Sequence, residues 1–134
     1  MRQIIFRGKR KDNGEWVYGY LVEMFGVLNI IGKDNENIVY EIIPETVGQF
    51  TGRYDKSNNK IFGGDIVKCL SLEYGYVNKE VYYSEDKAKF ALHSCGTDYE
   101  FDEYINVEVV GDIYDDKGVC GGMMTNEEKE EEAI

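Results

Sequence analysis

Short alternating runs of side chains, cut by turn residues, recur along most of this sequence. Residues 15–23 (EWVYGYLVE) put Trp16, Tyr18 and Tyr20 on one face of an extended segment and smaller or aliphatic residues on the other. A period of two is the spacing of a β-strand. Because both faces carry apolar side chains, we expect both faces of this strand to be covered. Asn13-Gly14 just before it is a strong hairpin signal, since both residues tolerate positive φ.

The same pattern predicts strands elsewhere, namely at 2–7, 15–23, 25–32, 37–43, 47–53, 66–70, 76–83, 88–93 and 104–114. Roughly eight to ten strands at such intervals are typical of a barrel or sandwich. The 134 residues include fifteen glycines and one proline, and 13% are aromatic. This composition suits strands and tight turns better than helices. The sequence therefore predicts an all-β protein with at most one or two short helices.

The chain is acidic, with a formal charge of −11. Residues 127–132 (EEKEEE) contribute −4 of this, which leaves about −7 for the rest. Such a surface repels nucleic-acid phosphate unless its basic residues cluster on one face. The small basic cluster Arg7, Lys9, Arg10 and Lys11 is the exception that keeps a nucleic-acid-associated module open as an alternative. Protein surfaces are the favoured partners, and nucleic acid is not expected.

Cys69, Cys95 and Cys120 are odd in number and widely spaced. The first residues lack the long apolar stretch and cleavage site of a secretory signal, and no apolar run has the length of a membrane span. Free thiols in a reducing environment are the simplest interpretation. We therefore expect a cytoplasmic protein with no membrane partner.

The most specific segment is 43–68, IPETVGQFTGRYDKSNNKIFGGDIVK. Its P-E-T-V-G-Q-F-T-G run, D-K-x-x-x-K turn and G-D-I-V strand resemble the signature of the YopX family of phage and prophage proteins, whose function is uncharacterised. The opening F-R-G-K and W-V-Y-G motifs and the closing V-V-G-D-I-Y at 109–114 also resemble this family. The chain departs from it after Tyr114, where Asp115-Asp116-Lys117-Gly118 and a Gly-rich, acidic tail replace the usual E-N-P-E-L-L ending.

The resemblance implies an SH3-like barrel with an additional β-rich N-terminal half. We expect a YopX-like β domain over 1–114, built either as one unit or as two packed β modules at about 1–44 and 45–114, followed by a Gly-rich, acidic C-terminal tail at 115–134. The family carries no established activity, cofactor or catalytic residue. Each signature position also has a structural explanation: Glu45 and Thr46 can cap a turn after Pro44, and Asp65 can close a turn at the start of its strand.

Four residues could in principle form a Cys₃His zinc site: Cys69, His93, Cys95 and Cys120. Their spacing lacks the paired ligands of most such sites. His93 is the only histidine, and no G-x-S-x-G motif accompanies Ser94. The carboxylates Asp98, Glu100, Asp102 and Glu103 are interpreted as a solvated loop, not as an acid–base pair. We assign no catalytic, cofactor-binding or metal-binding residue, and we expect no enzymatic activity.

Five tyrosines crowd the second half and could line a peptide-binding groove, although core positions are commoner: Tyr74, Tyr76, Tyr82, Tyr83 and Tyr99. The predicted function is a phage or prophage accessory protein that acts through protein–protein contacts. The alternatives are a nucleic-acid-associated SH3-like module and an acidic DNA mimic that inhibits a host factor. Because 15–23 and 104–114 look apolar on both faces, we also expect a homo-oligomer with an apolar β interface that excludes 127–132.

Overall fold

The computed structural model describes residues 3–33, 38–94, 96–101 and 104–115, and these ranges contain eleven strands. The chain divides into two compact units, Met1–Arg53 and Tyr54–Ile134. Strands of the first unit are β1 Phe6–Lys9, β2 Trp16–Met24, β3 Val27–Gly32, β4 Val39–Glu41 and β5 Gly48–Tyr54, the last of which crosses the boundary. A 3-10 helix at Pro44–Thr46 precedes β5.

Antiparallel pairing orders the strands of the first unit as β4-β3-β2-β1-β5. Beyond β1 and β4 the chain pairs again: Lys11 N–H donates to the Glu41 carbonyl at 2.9 Å, and Ile43 N–H donates to the Lys9 carbonyl at 2.9 Å. Arg10 and Ile42 form an antiparallel bridge between these two bonds. The sheet β1–β4 therefore curls until its first and fourth strands meet.

The inner face of this curled sheet carries the core of the first unit. Ile30 and Ile42 are both almost fully buried. A Cβ atom at Gly8 would come within 2.8 Å of Ile42 Cδ1, so glycine leaves room for that side chain. At Gly19 a Cβ atom would overlap the backbone carbonyl of Ile31, which demands glycine for the close approach of β2 and β3. Tight packing thus fixes which face of β2 points inward.

Strands of the second unit are β6 Lys60–Phe62, β7 Asp65–Ser71, β8 Gly75–Ser84, β9 Lys89–Ser94, β10 Thr97–Tyr99 and β11 Ile105–Asp112. Five of them form an antiparallel sheet in the order β10-β9-β8-β7-β11. One face of it packs into a hydrophobic core built from Ile61, Val67, Cys69, Val81, Leu92 and Phe101. Alternation along β7, β8 and β9 supplies Val67, Cys69, Val81 and Leu92, as the period of two predicts, while Ile61 comes from β6 and Phe101 from the segment after β10.

The structure confirms the all-β prediction, and the predicted strands match the observed ones with four differences. Lys60–Phe62 forms a strand, β6, where none was predicted. The first strand is Phe6–Lys9 instead of 2–7. Phe25, predicted to begin a strand, lies in the turn between β2 and β3. Thr97–Tyr99 is a strand although 98–103 reads as a polar loop, because its backbone pairs with β9. Closure into an SH3-like barrel stays an expectation of the resemblance.

Within the described ranges, no helix is long and apolar enough to cross a membrane. The predicted tail at 115–134 lies outside the described residues except for Asp115.

Candidate functional site

The outward face of strands β2 and β3 is the most distinctive surface of the first unit. Strand register places Tyr20 opposite Ile31, Val22 opposite Asn29 and Met24 opposite Val27. Residues directly opposite one another in an antiparallel pair share a face. This outward face, called the aromatic face below, therefore carries the following residues: Trp16, Tyr18, Tyr20, Val22, Met24, Val27, Asn29 and Ile31, with Val39 of β4 beside Ile31.

Much of the aromatic face is open to solvent. Tyr18 and Tyr20 are each 45% exposed, and Val39 is exposed to the same extent. Met24 and Val27 are also exposed at the far end of the hairpin. Single exposed apolar residues are ordinary, but a contiguous apolar patch on a soluble protein marks an interaction site.

Within β2 and β3 the aromatic face carries no charge, whereas the flanking strands place Arg7 and Lys9 of β1 and Glu41 of β4 on the same face. Across β2 and β3, both wholly described, none of its side chains ionises to a carboxylate or an ammonium. The one charged residue between Trp16 and Gly32 is Glu23, which pairs with Leu28 on the opposite face. Depletion of charge at the centre and enrichment in aromatic residues is the composition of protein–protein interface cores. The face therefore suits contact with another protein better than contact with water.

At the tip of the hairpin, Phe25 and Gly26 form the two-residue connection between the paired residues Met24 and Val27. Both central residues have positive φ, 55° at Phe25 and 77° at Gly26, as in a type I′ turn. The Phe25 side chain is fully exposed. A bulky residue with left-handed backbone is unusual, because its Cβ crowds the following carbonyl oxygen.

The basic cluster of the first unit is engaged with aromatic rings and carboxylates. The Arg7 guanidinium lies 4.3 Å from the centroid of the Trp16 ring, and Lys9 Nζ lies 5.4 Å from it. Arg10 donates two hydrogen bonds to Asp12, at 3.0 and 2.8 Å. Lys11 Nζ pairs with Glu41 at 3.1 Å. These contacts weaken the case for a phosphate-binding patch, which needs cations directed at the nucleic acid.

Signature residues of 43–68 are structural in the geometry shown. Thr46 Oγ1 donates to the Ile43 carbonyl at 2.6 Å and accepts from Lys9 N–H at 2.9 Å, which ties the 3-10 helix to β1. The predicted side-chain cap is wrong: Ile43 is the N-cap residue, and no described side chain caps the helix. The turn-closing role of Asp65 is confirmed, because its Oδ2 accepts from Phe62 N–H at 2.8 Å and the residue is 2% exposed.

The residues of the zinc alternative are only partly described. Cys69 lies in the core face of β7, opposite Val77 of β8. His93 pairs with Glu80 on the other face of β8 and makes an edge-to-face contact with Tyr82, at 5.5 Å between centroids. Cys69 and His93 thus point away from each other, while Cys95 and Cys120 lie outside the described residues. Among the described residues, no cluster of three or more potential metal ligands occurs.

Burial raises the pKa of the Cys69 thiol to about 11, an effect that the nearby Lys79 ammonium partly offsets. The thiol donates a weak hydrogen bond to the Val77 carbonyl at 3.7 Å. A protonated, buried thiol is a poor nucleophile and a poor metal ligand.

Of the four carboxylates interpreted as a solvated loop, Glu100 is the one whose side chain the structure describes. Glu100 forms ion pairs with Lys89 at 2.6 Å and with Lys87 at 3.9 Å. Asp98 lies in β10, in register with His93. Asp102 and Glu103 lie outside the described residues. Glu100 is thus paired with two lysines, which is the arrangement of a surface ion pair and not of an acid–base catalyst.

The five tyrosines of the second half do not share a face, so they do not line one groove. Several are core-side or sheet-face residues, which is the commoner outcome named in the sequence analysis. Tyr76 and Tyr82 lie on the face of β8 opposite the core, whereas Tyr83 packs edge-to-face on Phe90 at 5.1 Å on the core side. Tyr99 covers the buried Lys79, whose Nζ lies 3.9 Å from the ring centroid. Tyr74 is exposed in the turn between β7 and β8.

Together these features define an all-β protein of paired antiparallel hairpins whose first unit presents a partly exposed aromatic face. A protein-family model described as YopX protein matches residues 5–118. The chain belongs to the YopX family, as its signature at 44–67 predicts. No curated protein matches the sequence.

Proposed function

We propose that this YopX-family chain is a non-enzymatic protein-interaction module, an accessory protein of phage or prophage origin that acts in the cytoplasm of its bacterial host. The aromatic face is its contact surface. The observation that carries the proposal is the hairpin β2–β3, whose outward side chains include the half-exposed rings of Tyr18 and Tyr20 and no carboxylate or ammonium.

Three features support an interaction role over catalysis. Cys69 is buried and protonated, His93 packs against Tyr82, and Glu100 is held by lysines. Acid–base or nucleophilic catalysis requires such groups to converge on one reacting atom. In contrast, an aromatic surface with a polar surround needs only shape complementarity to bind another protein.

The test is affinity capture from host lysate with three forms of the chain. Tyr20→Glu puts a charge at the centre of the aromatic face. Tyr54→Glu is the matched control, because Tyr54 is 50% exposed and lies in the second unit. We expect the wild type and Tyr54→Glu to retain the same protein and Tyr20→Glu to lose it.

Retention of that protein by all three forms would contradict the proposal. So would capture of nucleic acid alone with salt-dependent affinity, which would favour the nucleic-acid alternative instead. A circular dichroism spectrum of Tyr20→Glu that matches the wild type is required, and it is expected because the replaced side chain is half exposed.

A further inference from the structure

A cavity of about 490 Å³ lies in the first unit, between the chain segments 10–12 and 38–41. Its volume is within the range of protein sites that hold ligands. The cavity lies where the seam between the segment that follows β1 and strand β4 opens. Lys11 N–H donates to the Glu41 carbonyl at 2.9 Å, and within the described residues no further backbone bond joins the two segments toward Asp12 and Val39.

Hydrogen bonds on the two sides of β4 show which way its peptide groups point. Ile42 N–H donates to the Leu28 carbonyl at 3.2 Å on the side of β3, whereas the Glu41 carbonyl accepts from Lys11 on the opposite side. Because peptide groups alternate in direction along an antiparallel strand, the N–H and C=O of Val39 point away from β3, as those of Glu41 do. Across the part of the chain that the structure describes, neither group of Val39 forms a hydrogen bond.

This stretch of β4 is therefore an open sheet edge. Unpaired backbone groups on an edge strand are a template for a further strand, which lies about 4.8 Å away. Val39 offers one donor and one acceptor, and the residue is 45% exposed, so the edge is accessible to solvent. An extended peptide in the cavity would form both bonds with Val39 and would continue the line of β1 along β4.

The charged side chains that line the cavity form two pairs. Arg10 donates two hydrogen bonds to Asp12, at 3.0 and 2.8 Å, and Lys11 Nζ pairs with Glu41 at 3.1 Å. A phosphate group requires cations that are not already neutralised, and a divalent metal ion requires carboxylates that are not. A peptide backbone is uncharged and alternates donors with acceptors, so it matches the two groups of Val39 without disturbing either ion pair.

From this geometry we infer that the cavity binds an extended peptide segment of another protein, which adds as a strand to the edge of β4. The inference goes beyond the proposed function, because it concerns the backbone edge of β4 and not the side chains of the aromatic face. Ile38, which is 39% exposed, lines the cavity together with the ring of Tyr40, against which the Arg10 guanidinium lies at 4.7 Å. These groups would contact side chains of the added strand.

Amide hydrogen exchange of the full chain, followed by NMR, tests this inference. The probe is a capped peptide of alternating threonine and valine residues with one lysine and one glutamate at its ends. We expect the Val39 amide to exchange quickly in the free chain and at least about tenfold more slowly with saturating peptide. The internal control is the Ile42 amide, which is bonded to Leu28 and should exchange slowly in both states.

Slow exchange of Val39 in the free, dilute chain would overturn the inference, because the edge would already be paired within the chain. Protection that appears only as the concentration of the chain rises, and that the peptide does not increase, would assign the edge to a second copy and would overturn another protein as the partner.

Two substitutions at Val39 separate backbone from side-chain recognition. Val39→Pro removes the N–H group, and proline is tolerated at edge positions whose N–H points to solvent. We expect this variant to keep the circular dichroism spectrum of the wild type and to bind the peptide at least about tenfold more weakly. Val39→Thr is the matched control, which keeps the backbone groups and should bind as the wild type does. Equal affinity of Val39→Pro and the wild type, or loss of binding by Val39→Thr, would contradict recognition through the edge.

A modified peptide supplies a test that does not depend on the folding of a variant. Methylation of every backbone nitrogen between the terminal residues of the probe removes its donors and keeps its side chains. We expect the methylated peptide to leave Val39 unprotected at concentrations that saturate the wild-type chain with the unmodified peptide. Equal binding of both peptides, or no binding of the unmodified one at about 1 mM, would overturn the site. If Tyr20→Glu still lost the captured lysate protein, the proposed function would stand without this inference.

Discussion

Asp55 Oδ2 accepts a hydrogen bond from the backbone N–H of Val109 at 3.0 Å, although the two residues are 54 positions apart. Val109 lies in β11, the edge strand of the five-stranded sheet. Next to this bond, Lys56 N–H donates to the Val107 carbonyl at 2.8 Å. Unpaired edge strands invite pairing with other chains. The turn at 55–59 thus covers this stretch of the edge in place of another strand.

Acidification is expected to weaken the hydrogen bonds that Asp55 accepts, including the one from Val109 of the edge strand β11. Desolvation raises the pKa of Asp55, but hydrogen bonds from Val109, Asn59 and Ser57 outweigh it, so that its net pKa lies below the usual 3.8. A carboxyl whose pKa is lower in the folded state stabilises the fold above the unfolded-state pKa, and this stabilisation disappears as the pH falls through the folded-state value. Wild-type stability should therefore fall steeply below about pH 3.8.

Asp55→Asn tests the assignment of this pH dependence. An amide presents one oxygen and one NH₂ group, so one of the N–H donors around residue 55 faces another donor. We expect a loss of about 1–3 kcal/mol in the free energy of unfolding at pH 7. The difference between the two proteins should shrink below pH 3.8 in urea titrations. A difference that stays constant down to pH 2 would contradict the role of the carboxylate.

Asp65→Ala should lower the free energy of unfolding by about 1–3 kcal/mol, because it leaves the buried Phe62 N–H without its acceptor. Asp65→Asn keeps an oxygen acceptor of the same shape and should cost less. Thermal melts of both variants measure the effect on stability, and the affinity capture described above measures the effect on partner binding. Unchanged stability with loss of the captured protein would show that the signature contributes to binding, against the structural role.

Cys69 should react slowly with thiol reagents. With a pKa of about 11 in place of 9.0, its thiolate population at pH 8 falls about a hundredfold. The sequence also predicts fast labelling of Cys120, beside Gly121-Gly122. Mass spectrometry of the native chain after timed labelling gives both rates, and unfolding in urea supplies the control in which every thiol is accessible. Equal native rates at Cys69 and Cys120 would contradict burial of Cys69.

Ionic strength should control self-association. The formal charge of −11 includes −4 from residues 127–132. Screening lengths shrink from about 30 Å at 0.01 M salt to about 8 Å at 0.15 M, so repulsion between copies reaches further at low salt. We expect dimers to dissociate at low salt and to recover when salt is added. A chain that ends at Asn126 should show a weaker salt dependence of self-association. An equal dependence would show that the charge of residues 127–132 does not control self-association.

Much of this fold could be predicted, because a two-residue period and Asn-Gly or Asp-Lys turns are local signals. They located β2, β7, β8 and the hairpin at Asn13-Gly14. The tip at Phe25 was missed because phenylalanine is a strand-forming residue and nothing local shows that it has positive φ. β10 was missed because its strand character comes from pairing with β9 and not from its polar side chains.

The candidate site was only half predictable. From the alternation in 15–23 we expected both faces of β2 to be covered, and within the chain this is wrong for the aromatic face, where Tyr18 and Tyr20 are each 45% exposed. The alternation did not show which face the chain itself would cover. That choice depends on Gly8 and Gly19, which let Ile42 and the β3 backbone approach from one side. The bond between Asp55 and Val109 depends on tertiary structure across 54 residues, which no local pattern contains.

Hydroxyl-radical footprinting of the tyrosines measures whether the aromatic face is a contact surface. Oxidation of the free chain at low concentration is compared with oxidation of the complex that an affinity-tagged form of the chain captures from host lysate. Tyr18 and Tyr20 are each 45% exposed in the free chain, and Tyr54, which serves as the internal control, is 50% exposed. We predict that oxidation of Tyr18 and Tyr20 falls several-fold in the complex while that of Tyr54 is unchanged. Equal oxidation of Tyr18 and Tyr20 in the two states would contradict the interaction role assigned to this face.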